Sequence, residues 1–127
     1  MTMRTALLLM TAAMTLVCGP AGAQDSAKVQ AESYHVVVDN QKVRVLSFTA
    51  KPGMGVCGAG RHSHPDHVTV LLTPARVKVV QNGRTTFASL KAGDSFWEPA
   101  VTHEVENYGG ADVRSLIIEV KTPAGAK

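Results

Sequence analysis

Three histidines carry the chemistry that this sequence offers. His62 and His64 stand two positions apart in the run Arg61-His62-Ser63-His64-Pro65-Asp66-His67, at the head of an apolar stretch. His103 follows some forty residues later, after Gly93, Asp94 and Pro99. Residues i and i+2 of a β-strand project from one face, so both imidazoles reach a common point. A third imidazole arriving from a distant strand completes a facial set of nitrogen donors. The pattern predicts a metal site inside a small β-barrel.

The elements that position these residues begin after a leader. Residues 1–23 read as a signal peptide: Arg4 supplies the positive start, Ala6 to Val17 is apolar but too short to span a membrane, and Ala21-Gly22-Ala23 offers a small-x-small cleavage pattern. Val17 before Cys18 argues against a lipid-modified cysteine, which normally follows a small residue. The expectation is a mature chain starting at Gln24, periplasmic or secreted, with no membrane span. Cys57 is then the one remaining cysteine, so an oxidising compartment has no internal disulfide to form. Loss of Arg4 takes the formal charge from +3 to +2, and the lysines and arginines are scattered. Nucleic acid and anionic membrane surfaces are not indicated.

Residues 24–127 suffice for one domain with one modest core. Residues 24–32 are polar and read as a loose leader. The rest is all-β: Tyr34 to Asp39, Val43 to Ala50, Val68 to Thr73, Arg76 to Gln81, Thr85 to Leu90 and Val113 to Val120 are rich in β-branched residues. Turn residues separate them, and Asn82-Gly83 is the strongest hairpin signal. No window of a dozen residues holds a helical period. Short strands at intervals of about ten residues predict a sandwich or barrel.

The motifs resemble those of the cupins, small jelly-roll or double-stranded β-helix barrels. The first cupin motif holds His-x-His followed by a glutamate, and His62-Ser63-His64-Pro65 matches its histidines and the proline common after them. The second motif runs from a glycine through Pro-x-Gly and a histidine to an asparagine. Gly93, Pro99, His103 and Asn107 match it in part, and the hairpin at Asn82-Gly83 has the expected intermotif length. The resemblance covers most of residues 24–127 and implies a cupin-type barrel holding a divalent transition metal.

Two departures qualify that implication. The glutamate position falls on Val68 or Thr69, and Val101 replaces the glycine of Pro-x-Gly, with His103 one residue early. His67 either takes the place of the missing carboxylate, across a bulge after Pro65, or faces solvent beside Asp66. The candidate ligands are therefore His62, His64, His67 and His103. Imidazoles suit iron, copper, zinc or nickel over manganese and magnesium. Without a carboxylate the site keeps more positive charge, which favours a small anionic substrate.

Other residues have competing readings. Cys57, in a glycine-rich loop before the histidines, is a soft ligand, a redox-active thiol or a cysteine with no role. Of Phe96 and Trp97, one faces the core and the other the outside. Arg61 points to the opposite sheet face from His62, and His35 is a surface residue. Glu98 is the one acid near the second motif that could serve as general base, or it is an exposed edge carboxylate. No catalytic residue is assigned. The sequence leaves three functions open: a metal-dependent enzyme of oxygenase or lyase type, a non-catalytic metal- or small-ligand-binding barrel, and a metal-free structural barrel. The apolar strand Tyr34 to Asp39 adds the expectation of a homodimer through an exposed edge.

Overall fold

Alternating β-branched runs and tight turns build two antiparallel sheets. The computed structural model describes residues 24–54 and 61–123. Its elements are α1 (Ser26–Val29), β1 (Tyr34–Asp39), β2 (Val43–Ala50), β3 (Arg61–His64), β4 (His67–Leu71), β5 (Ala75–Gln81), β6 (Arg84–Leu90), β7 (Ser95–Glu98), β8 (Val101–Asn107) and β9 (Val113–Val120). One sheet has the order β1-β2-β9-β4-β7 and the other β3-β8-β5-β6. The all-β jelly-roll expectation holds. The expected leader 1–23 and Cys57 lie outside the described residues.

The period of two decides which side chains reach the interior. On β2, Leu46, Phe48 and Ala50 are buried; Val113 and Ile117 on β9 and Leu71 on β4 join them, and Ala75 and Val77 answer from the opposing sheet. Asn82 and Gly83 both take positive φ, 50° and 71°, in the two-residue turn between β5 and β6. That is the turn whose twist matches a hairpin, and it sets the register Gln81↔Arg84.

Prolines mark two of the corners at which the chain changes sheets beside the site. Pro65 separates β3 from β4, and Pro99 separates β7 from β8; in each case the two strands belong to different sheets. Proline cannot donate to a ladder, so it suits a corner where pairing must stop. The expected bulge after Pro65 is such a corner. Its consequence is functional: ionisable residues on both sides of each proline, His64 and His67, Glu98 and His103, come to the same cavity.

The polar segment after Gln24 is not loose. Residues 26–29 form one helical turn whose N-cap, Asp25, accepts from the Ala27 amide at 3.0 Å. Ser26 and Gln30 are buried, and the Ser63 amide donates to the Gln24 carbonyl at 2.7 Å. Buried polar partners on β3 hold this segment, a tertiary effect that local polarity does not reveal. Among the described residues, no helix is long and apolar enough to cross a membrane.

Candidate metal centre and its cavity

The β3–β8 pairing sets His62 directly opposite His103. Their ring centroids are 4.7 Å apart, and His64, two positions along β3, lies 4.9 Å from His62 and 5.7 Å from His103. All three rings are buried, and each offers a nitrogen within 4.8 Å of the others. The predicted trio therefore assembles, because i and i+2 on one strand and a paired residue on its neighbour share one face.

Each ring is held differently. Nδ1 of His64 donates to Glu119 Oε1 at 2.7 Å, with Ser26 Oγ 3.4 Å from the same nitrogen. A carboxylate only accepts, so Nδ1 of His64 carries a proton and the nitrogen that can offer a lone pair is Nε2. His103 Nδ1 is buried with no hydrogen-bond partner among the described residues. Burial, followed by the neighbouring His64, pushes the His103 pKa down to about 4, which keeps this ring neutral and able to ligate. His62 has the Gln30 amide nitrogen 3.1 Å from Nδ1 and the Tyr34 hydroxyl 3.1 Å from Nε2. Its lone pair becomes available by exchange of one of these bonds. Burial raises the Tyr34 phenol above its ordinary range, so the hydroxyl stays neutral.

His67 falls outside the trio. It is buried, not solvent-facing, and its Nδ1 meets the Pro65 carbonyl at 2.7 Å while Nε2 meets Glu98 Oε2 at 2.9 Å. Both partners only accept, so both nitrogens carry protons and no lone pair remains for a metal. Burial opposes the charge, but the Glu98 and Pro65 bonds outweigh it and raise the His67 pKa. The same bond lowers that of Glu98 against its own burial. His67 is thus ion-paired with Glu98 beside the trio, its ring centroid 4.9 Å from that of His64. Glu98, half-buried on β7, is its partner and not a free edge carboxylate. At the position where the motif resemblance would place a carboxylate, Thr69 faces the cavity.

Two charged residues of the site escaped the sequence reading. Glu119 is 2% exposed and bonded to Arg44 through Oε2, at 2.7 Å to Nε; Arg44 also holds Asp25, with Nη1 2.8 Å from Oδ2. Burial raises the Glu119 pKa, but the His64 and Arg44 bonds overcome it and hold the carboxyl below its ordinary value. A signal existed: Arg44 and Glu119 occupy the same strand parity as Leu46 and Ile117, so each is a charge in phase with the core.

A cavity of about 390 Å³ is walled by both sheets. His64, His67, His103 and Glu98 reach it, and most of the remaining wall is aliphatic, with Leu71, Val79 and Val105 among its members. No lysine or arginine lines it among the described residues, and the His67 ring is already paired with Glu98, so the small anionic substrate expected from the charge of a carboxylate-free metal site finds no unpaired cationic side chain there. Phe96 turns inward against the core while Trp97 is 55% exposed, as the alternation requires. Arg61 and His35 are exposed, away from the trio.

Comparison with protein-family models and with curated proteins finds no match. Solved structures do match. A cupin domain from Bordetella pertussis Tohama I is 27% identical, the match covering 70% of this chain and 92% of that one, with a TM-score of 0.64. The chain folds as a cupin. A conserved double-stranded β-helix protein from Klebsiella pneumoniae is similar to this chain at 25% identity, covering 72% of this chain and 78% of that one, with a TM-score of 0.56. A double-stranded β-helix cupin from Methanocaldococcus jannaschii, 11% identical, covers 71% and 80% with a TM-score of 0.57, a likeness of fold alone.

Proposed function

We propose that this cupin binds one divalent transition metal through His62, His64 and His103 and presents it to the cavity. The observation that supports this most strongly is the trio itself: three buried imidazoles with nitrogens within 4.8 Å of one another, one of them, His103, with a buried nitrogen left without a partner among the described residues. Buried polar atoms in folded proteins are almost always paired, so an unpartnered nitrogen on one of three clustered imidazoles suits an external ligand. Neutral imidazoles favour iron, copper, zinc or nickel. Such a metal supplies Lewis acidity toward a bound oxygen.

The residues behind the trio suit the same role. Glu119 orients His64 and places a negative charge behind it, and metal-binding imidazoles commonly lean on such a carboxylate. An enzymatic role draws support from the His67–Glu98 pair, which lines the cavity and holds a proton between Nε2 and Oε2. Metal titration tests the reading: zinc uptake of about one ion per chain, abolished by His103→Ala, is expected.

A further inference from the structure

The inward rows of the barrel change character along its length. Across β9, β4 and β7, one row holds Glu119, His67 and Glu98; the next holds Ile117, Thr69 and Phe96; Leu71 follows beside Ser115. On the opposing sheet His103 leads along β8 to Val105, which pairs with Val79. One end of the cavity is therefore ionisable and the rest is largely aliphatic. At the ionisable end every charge among the described residues is already matched, Glu98 by His67 and Glu119 by Arg44. The exception is not a charge but a hydrogen-bonding atom: His103 Nδ1, in a residue only 6% exposed that faces the cavity, has no partner among the described residues.

We infer that the cavity selects a neutral amphiphile, an apolar body with a single hydrogen-bonding head such as an alcohol. At the roughly 30 Å³ that a water molecule occupies in the liquid, about 390 Å³ corresponds to about a dozen non-hydrogen atoms. The aliphatic rows take the body, and the head lies at the row of His103. A carboxylate or an ammonium group would enter a space where no opposite charge is left to pair with it, and burying an unpaired charge is strongly unfavourable. This selection is read from the walls of the metal-free cavity; a metal at the trio would engage His103 and add a positive charge, so the selection is a property of the chain freed of metal.

Calorimetric titration of the purified chain, freed of metal with a chelator, with three probes of one shape tests the inference: cyclohexylmethanol, cyclohexanecarboxylate and cyclohexylmethylammonium. The alcohol is expected to bind at least tenfold more tightly than either charged probe. Ala88→Leu, or Val79→Leu if the first does not fold, narrows the aliphatic wall and is expected to weaken the alcohol at least fivefold. A charged probe that binds as tightly as the alcohol, no binding of any probe, or an alcohol affinity indifferent to the narrowed wall overturns the inference. Zinc uptake is measured separately, so a chain that takes no zinc yet ranks the probes in this order loses the metal reading and keeps this one.

Discussion

Glu119 Oε1 lies 2.7 Å from Nδ1 of His64, with both side chains 2% exposed. The contact joins β9 of one sheet to β3 of the other, so the tautomer of a candidate metal ligand depends on the sheet that does not carry it. Glu119→Gln keeps the shape and removes the charge. Zinc affinity is expected to fall about 10- to 100-fold, the usual cost of losing an outer-shell carboxylate. Stability is expected to fall by about 1–3 kcal/mol, because Arg44 keeps Asp25 as a partner. Zinc calorimetry and urea unfolding of the same sample read both effects.

Tyr34 makes the opposite prediction. Its hydroxyl, 3.1 Å from Nε2 of His62, competes for a nitrogen that the metal reading needs. Tyr34→Phe is expected to cost about 0.5–1.5 kcal/mol of stability for the lost hydrogen bond. Zinc binding is expected to tighten, by up to about tenfold, or about 1.4 kcal/mol. Weaker zinc binding in Tyr34→Phe would show that the hydroxyl supports the site.

Asn107 carries structure and not chemistry. It is 1% exposed; its Nδ2 donates to the carbonyls of Ala50 and Ala111 at 3.0 and 2.8 Å, and its Oδ1 accepts from the Gly109 amide at 3.0 Å. Asn107→Ala leaves these backbone groups without their partner and is expected to cost about 2–3 kcal/mol in denaturant unfolding. Zinc stoichiometry is expected to stay the same.

The docking of α1 is sensitive to acid. The hydrogen bond from Arg44 is the main cause that holds the Asp25 carboxyl below its ordinary value of 3.8. A carboxyl depressed in the folded state adds stability that is present above about pH 3.8 and is lost as pH falls through the lower folded value. Asp25→Asn is therefore expected to be less stable than the parent at neutral pH and to show a smaller further loss on acidification. Urea midpoints followed from about pH 6 to pH 2 check this, and parallel curves for the two chains would contradict it.

Much of this was legible in the residues, and the gaps have physical causes. The strands Tyr34 to Asp39, Val43 to Ala50 and Val113 to Val120 were readable to the residue, because each is a run of β-branched side chains closed by turn residues. Strands β3, β7 and β8 were harder to see, since histidines, charges and two proline corners interrupt any alternation of apolar residues there. Their histidines were nevertheless placed together correctly by the period of two. His67 was read as a ligand or a surface residue because its strand phase is reset at Pro65, and its two acceptor partners are visible only in three dimensions. The segment 24–32 looked loose because its anchors, Ser26 and Gln30, are polar residues whose burial depends on β3.

The imidazole trio is the centre of the proposed metal site. Zinc calorimetry, backed by elemental analysis, on the purified chain and on a His62→Ala/His64→Ala double variant tests it most directly. Uptake of about one zinc per parent chain, with none in the double variant, is the predicted result. A parent chain that takes up no metal, or a double variant that retains stoichiometric zinc, would contradict the assignment of His62, His64 and His103 as a metal centre.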